Sequence, residues 1–434
     1  MPKTLNLSHE ELENLASIYG TPFQLYDGDG ITKHVQTFLK TFKESFPSFK
    51  QFFAVKALPN PSILKLLLDN GLGFDCSSIA EIKIVLEIGA SPQDIIYSSN
   101  YTSVSDLAYA MEKNVIINLD DYDGLMNLCE TGLELPELLS FRLNPNLGTT
   151  DSETKSNVLG GVNSKFGMEP ETCIEAFVEA KKRGVKKFGI HMMTGSCVMD
   201  ITYWSELIDA LYATIKQLHD LDIKLEFIDI GGGIGIPYQP NVPDIDIKTI
   251  CKNVRESITS NMSKYGLDYE PQLFMENGRY ITGQFGWLIS RCHSVKKTKS
   301  ENIFYGLDAC MANLMRPGMY GAYHHISIPR LQKTYQLDDV MLTSDIDLIK
   351  AHVVGTLCEN NDWFASNRLL PKETKKGDLF IIYDTGAHSH SMGFQYNSKL
   401  RAPEILMIKS KIVLIRKRET YESLFDNCIK VELL

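Results

Sequence analysis

The sequence predicts an α/β protein: a (β/α)8 TIM-like barrel followed by a C-terminal β-sandwich or β-barrel domain. Three observations predict it. Short β-rich runs alternate with helical patterns, which implies a parallel sheet. Eight such units occupy about 230 residues, which is what a closed barrel needs. Beyond residue 281 helical patterns thin out and strand-like runs follow one another.

The eight runs are QFFAVKA (51–57), GLGFDCS (71–77), DIIYSSN (94–100), VIINLD (115–120), LLSFRLN (138–144), KKFGIHMM (186–193), KLEFIDIGGG (224–233) and QLFMENGR (272–279). Segments such as PSILKLLLDNG and YWSELIDALYATIKQLHDLD separate them, with apolar residues at helical spacing. An open doubly wound sheet is the alternative on pattern alone. In the C-terminal part YITGQFGWLISRCHSVKKT, IDLIKAHVVGTLC, DLFIIYDTG and SKIVLIRKRE read as strands. The extended FQLYD at 23–27 is expected to join them. The expected division is therefore a barrel over 28–281 and a β-rich domain made of 1–27 and 282–434. The polar stretch 145–164 reads as a long loop, and loops of that length are often functional.

The net charge of −10 argues against nucleic-acid binding and leaves no basic face for a membrane. Nine cysteines, an odd number without C-x-x-C spacing, form neither a disulfide framework nor a zinc site, so no metal is expected. The polar, acidic start lacks the pattern of a secretory signal, and no run approaches the about 20 apolar residues of a membrane span. A cytoplasmic, reduced setting is expected.

Catalytic groups of a barrel enzyme sit at the carboxyl ends of its strands. Lys56 ends the first run. Among apolar neighbours it would be desolvated, with a lowered pKa, as suits a Schiff-base nucleophile. The alternative is a strand-end lysine in solvent. His191 closes the sixth run, or is a satisfied core histidine. Gly231, Gly232 and Gly233 follow the seventh run, where successive backbone N–H groups can cradle a phosphate; a bare tight turn would look the same. Glu276 ends the eighth run and can pair with a protonated ring nitrogen, or with a local cation. Gly278 and Arg279 can complete an anion site. Together these describe a pyridoxal phosphate site.

The chain resembles the barrel-type pyridoxal phosphate decarboxylases, and within them the diaminopimelate decarboxylases, from about Thr21 to Glu419. The resemblance lies in FAVKAL around Lys56, FDCSSIAEI, NSKFGM, GIHMMTGS, GGGIGIPY, ENGRY, LMRPGMYGAYHHI, GTLCENNDWFA and YDTGAHSHSMGFQYNSKLRAPEIL. It implies that Lys56 holds pyridoxal 5'-phosphate covalently and that His191 stacks on its ring. Ser196, Gly231 to Gly233, Gly278 and Arg279 line the phosphate, and Glu276 keeps the ring nitrogen protonated. Cys358 is the implied proton donor, reaching into the other subunit of a homodimer with shared sites. Tyr396 contacts cofactor and substrate.

Arg316 and Tyr320 match the substrate segment of the diaminopimelate branch. Glu359 would take the distal ammonium, while Arg279 and Arg316 hold carboxylates. The implied reaction is decarboxylation of meso-2,6-diaminopimelate to L-lysine, the last step of lysine biosynthesis. A same-fold decarboxylase of another (D-)diamino acid or a carboxylated polyamine is the alternative. Lys56 and Cys358 both stand, against a dead regulatory homologue, and CENND stands against a racemase. The chain departs from the family at Asn277, where proline is usual, at His388, where tyrosine is usual, and at Gln395, where asparagine is usual.

Overall fold

The computed structural model describes residues 4–147, 159–331 and 347–431. Most of the loop expected over 145–164 lies outside the described residues. The chain forms two compact units. One holds 31–236 and 245–281; the other holds 1–30, 237–244 and 282–434. The short excursion 237–244 into the second unit carries no pattern in the sequence.

The first strand, β1 (Phe23–Asp27), belongs to the second unit. The next eight close the barrel in chain order. They are β2 (Lys50–Ala54), β3 (Gly73–Cys76), β4 (Ile95–Ser99), β5 (Ile116–Leu119), β6 (Leu138–Arg142), β7 (Lys187–His191), β8 (Leu225–Asp229) and β9 (Gln272–Met275). All pairings are parallel, and β2 pairs with β9 to close the ring. Seven of the eight predicted runs contain one of these strands whole, and the first misses only Lys50 of β2.

Helices follow the strands and begin where the sequence provides caps. Asn60 accepts from Ser62 N with Pro61 at the first helical position, Ser78 and Ser103 accept from Glu81 N and Asp106 N, and Asp121 accepts from Gly124 N. Each cap satisfies a backbone donor that a helix start leaves open.

Side chains alternate along each strand, so every second residue faces the barrel interior. At the amino-terminal end those residues are apolar. Phe52, Ile96, Phe227 and Phe274 form a buried cluster, with Ile116 and Leu138 packed against it. Phe227 and Phe274 stack with ring centroids 4.4 Å apart. Gly189 makes room, since a Cβ there would lie 2.1 Å from the Phe227 ring. One layer higher the interior turns polar: Ser140 donates to Asn118 Oδ1, and Asn118 donates to Ser98 Oγ. Higher still it is charged. The barrel is thus plugged at one end and open to chemistry at the other.

In the second unit the strands are β10 (Gly286–Lys297), β11 (Ile303–Leu307), β12 (Ile326–Ser327), β13 (Leu348–Val354), β14 (Trp363–Pro371), β15 (Leu379–Tyr383), β16 (Glu404–Ile408) and β17 (Lys411–Arg416). They form one mixed sheet with β1. Its order is β14-β13-β11-β10-β1-β16-β17, with β15 and β12 branching from β10. The 12-residue β10 pairs with β1 and β15 through its first half and β11 through its second. Two apolar clusters form where the sheet branches, one around Phe380 and Leu307, the other around Phe23 and Trp287. β11, β12, β14 and β16 are absent from the strand-like runs read in the sequence. Among the described residues no helix is long and apolar enough to cross a membrane.

Candidate active site

The charged layer sits at the carboxyl ends of the barrel strands. Lys56 lies two residues past β2, in a 3-10 turn over Val55–Ala57 rather than in the strand itself. Its Nζ is 3.1 Å from Asp75 Oδ2 and 3.5 Å from Ser77 Oγ. The Lys56 side chain is half-exposed in the barrel mouth, whereas Asp75 is buried. The expected lowering of the Lys56 pKa is overturned. Burial does push it down, but Asp75 and Glu276 outweigh burial and hold the ammonium above its ordinary value. The neighbours along the strand are apolar, but the acids that set the Lys56 charge stand on adjoining strands. Asp75 is itself pushed up to about 7, by burial and then by Glu276, against the pull of Lys56.

His191 ends β7, and its Nε2 meets Glu276 Oε2 at 2.9 Å. Both are buried. Burial alone would raise the Glu276 carboxyl, but His191, Lys56 and Arg142 outweigh it and hold it below the usual carboxylate value. Asp229 ends β8 beside this pair; a ligand-type atom from each of the three lies within 4.8 Å of the others.

Past β8 come the three glycines. Gly231 and Gly233 have φ of +66° and +89°, a region that L side chains rarely adopt. A Cβ on Gly231, Gly232 or Gly233 would lie 2.5 Å from the carbonyl oxygen of Met192, Glu276 or Gly195. The glycines therefore bring the turn against the loops after β7 and β9. That brings it beside the Met192–Ser196 loop, which carries Ser196. Gly278 makes a similar approach: a Cβ there would lie 2.8 Å from the Ala57 Cβ, in the lysine's own turn. Arg279 follows, half-buried at the start of a short helix over Arg279–Thr282.

Arg142 and Asp120 were not singled out in the sequence. They pair at 3.0 Å, and Arg142 also donates to Met193 O. Asp75, Asp120, Arg142 and Asp229 all stand at or just past strand carboxyl ends. Reading the period-two alternation to the end of each strand would have found them.

The remaining candidates stand in the second unit. Arg316 begins a helix over Arg316–Tyr320 and is buried. It donates to His324 Nε2 at 2.8 Å and lies 4.6 Å over the Tyr238 ring. Tyr320 is half-buried at the end of that helix. Cys358 and Glu359 are exposed in a turn that Asp362 ties together by accepting from Leu357 N and Met311 N. Gly318 packs closely on that turn, since a Cβ there would lie 2.2 Å from Asn361 O. So the arginine helix and the cysteine turn are one local structure. Tyr396 reaches it too: its hydroxyl donates to Cys358 O at 3.4 Å, while Cys358 N donates to Asn397 Oδ1. His388 takes φ +55°, and Gln395 donates to Glu419.

The barrel mouth fits an aromatic phosphate cofactor on its own terms. It offers a reachable amine, a glycine cradle no side chain would fit, and buried polar atoms without partners, among them His191 Nδ1 and Asp75 Oδ1. The comparisons agree. Residues 32–283 match the model of the pyridoxal-dependent decarboxylase pyridoxal-binding domain. Protein TabA of Pseudomonas amygdali pv. tabaci is 36% identical, over 95% of this chain and 92% of its own. Diaminopimelate decarboxylase of Methanothermobacter thermautotrophicus is 34% identical, over 94% and 92%. Among solved structures, diaminopimelate decarboxylase from Helicobacter pylori complexed with L-lysine superposes with a TM-score of 0.81 at 30% identity, covering 95% of this chain and 98% of that one. With most of its length matched and the barrel mouth built for the same cofactor, this chain belongs to the pyridoxal-dependent decarboxylase family, and its cofactor is pyridoxal 5'-phosphate.

Proposed function

We propose that this protein is a carboxy-lyase converting meso-2,6-diaminopimelate to L-lysine and carbon dioxide, the closing step of lysine biosynthesis. The observation that carries this is Arg316, buried and clamped in one local structure with the Cys358 turn. The likeness to diaminopimelate decarboxylases, one solved with L-lysine, supports it. The cofactor-binding domain expected over 28–281 is in keeping with the family match over 32–283, except that 28–30 and 237–244 go with 1–27 and 282–434 in the β-rich unit.

When bound, pyridoxal phosphate supplies an electron sink for the pair left when carboxylate departs as carbon dioxide. The protein supplies the rest. Lys56 holds the cofactor through its amine and yields that place to the substrate's. Glu276, ionised, keeps a proton on the ring nitrogen. His191 covers one ring face. Ser196, Gly231 to Gly233, Gly278 and Arg279 hold the phosphate through backbone and side-chain donors. Arg316 and Tyr320 take the distal carboxylate, with Arg279 available to a second, and Glu359 takes the distal ammonium. Cys358 hands its thiol proton to the carbon that lost carbon dioxide. Tyr396 braces cofactor and substrate.

We further propose that Cys358 and its turn serve the barrel of a second copy, making a homodimer with shared sites, and that the protein works in the cytoplasm. The exposure of Cys358 and Glu359 supports the shared site. Purified protein with cofactor, offered a panel of diamino acids, should release carbon dioxide from meso-diaminopimelate and form L-lysine in equal amount. Preference for ornithine, a D-diamino acid or a carboxylated polyamine overturns the substrate. Mixing Lys56→Ala with Cys358→Ala protein should restore part of the activity; no restoration after demonstrated subunit exchange overturns the shared site.

A further inference from the structure

Asp229 is outside every role assigned above. It ends β8, is 1% exposed, and stands behind the glycine cradle. Its Oδ1 accepts from Gly231 N at 2.8 Å. Its Oδ2 is buried with no donor, and so is Oε1 of Glu276 on the neighbouring strand. Among the described residues neither oxygen has a donor; the cofactor's ring N–H would serve Glu276, which leaves Asp229 Oδ2 as the buried acceptor without one, within 4.8 Å of the other carboxylate. Two ionised carboxylates this close, out of water, repel strongly. One proton between them removes the repulsion and turns Asp229 Oδ2 from an acceptor into a donor.

The groups facing the pair decide where that proton rests. Glu276 faces His191 from β7, Lys56 from the turn after β2, and Arg142 from β6. All favour its anion. Asp229 faces the Gly231 N–H, a His191 nitrogen within 4.8 Å, Glu276 itself and Asp75. Its direct hydrogen bond is to the one neutral N–H, and both carboxylates oppose its anion.

We infer that Asp229 is a permanently protonated positioning residue, which donates its proton to Glu276 while its other oxygen anchors Gly231, so that one side chain ties together the carboxylate at the cofactor's ring nitrogen and the cradle at its phosphate. This rests on the reading of Glu276 and the glycines given above. Burial and the Glu276 charge, which push the Asp229 carboxyl well above its ordinary value, are in accord.

The inference separates a neutral acid from an anion, and asparagine is the test. In Asp229→Asn the amide NH₂ can donate to Glu276 and the amide oxygen can accept from Gly231 N. The variant should bind pyridoxal phosphate within about threefold of wild type, with the same bound-cofactor absorbance, because both hydrogen bonds survive. Asp229→Ala loses both and should weaken cofactor binding on the order of 10- to 100-fold, with an altered spectrum. Binding is read by titrating apo-protein and following absorbance, without substrate. Should Asp229→Ala not fold, Asp229→Asn alone decides. Asp229→Asn as impaired as alanine overturns the inference, because an anion is then required. Glu276→Gln tests the underlying reading separately: if its cofactor spectrum and turnover match wild type, Glu276 does not serve the ring, and the inference falls with it.

Discussion

The floor and the mouth of the barrel are built from the same strands, two residues apart, and do opposite work. On β8 the floor residue is Phe227 and the mouth residue is Asp229; on β9 the floor residue is Phe274, and the mouth residue Glu276 lies one position past the strand. The floor is a close-packed aromatic plug with every side chain satisfied by its neighbours. The mouth holds acids, a histidine and cations whose mutual positions leave buried atoms unpartnered. Packing energy gathered below holds in place a ring of groups that would not assemble for their own sake. Functional sites are commonly strained at the expense of stability.

The mouth is most sensitive at Lys56. Lys56→Ala should lower decarboxylation by on the order of 10³-fold or more, as expected when a covalent anchor is lost. Its melting temperature without cofactor should fall only slightly, because the ion pair with Asp75 is lost from a half-exposed side chain while no packing is removed. A large fall in melting temperature would show that the mouth is part of the scaffold after all.

Phe227→Ala attacks the floor. It should destabilise the protein by about 3–5 kcal/mol, as buried phenylalanine truncations do. Well below its melting temperature the variant should keep near-normal kcat and cofactor affinity. A specific loss of kcat without loss of stability would erase the distinction between floor and mouth.

Arg316→Ala extends the comparison to the β unit. A substrate carboxylate left without its arginine corresponds to about 3–5 kcal/mol, hence a loss of about 10²–10⁴ in kcat/KM on meso-diaminopimelate. Substrates without a distal carboxylate should change little. An equal loss on every substrate, with lower thermal stability, would mean that Arg316 only braces its helix against His324 and Tyr238.

The smallest expected effect is on pH dependence. Asp75 titrates near 7 in the folded protein, above its unfolded value of 3.8, because burial and Glu276 disfavour its anion. A raised folded pKa gives stability that is fully present below the unfolded pKa and lost as pH rises through the folded one. Without cofactor, Asp75→Asn should therefore gain melting temperature relative to wild type at pH 8 and gain less at pH 5. Equal gains at both would show that Asp75 is ionised throughout.

The barrel was legible because each strand is a short β-rich run and each following helix opens on a cap such as Asn60, Ser78 or Asp121. Strand-end position was enough to pick out Lys56, His191 and Glu276. The acids beside them were harder to see, since Asp75 and Lys56 are 19 residues apart and meet only across neighbouring strands. The local sequence around Lys56 therefore points to a lowered pKa, and the acids across the strands reverse it. In the β unit Arg316, Cys358 and Tyr396 ride on turns without period, so only their resemblance to a family singled them out. Asp362, which builds the cysteine turn, reads in sequence as one more acid in CENND. The strands β11, β12, β14 and β16 escaped because the first two are short and IFYGL or WFASNRLLP sits among polar turns.

Every role proposed at the barrel mouth requires that it hold pyridoxal phosphate through Lys56. Borohydride reduction of the cofactor-loaded protein, followed by proteolysis and peptide mapping, tests it directly. The cofactor should be found on one peptide, the one containing Lys56, in an amount approaching one per chain. Label on another lysine, or no label on a protein that still decarboxylates its substrate, would contradict it.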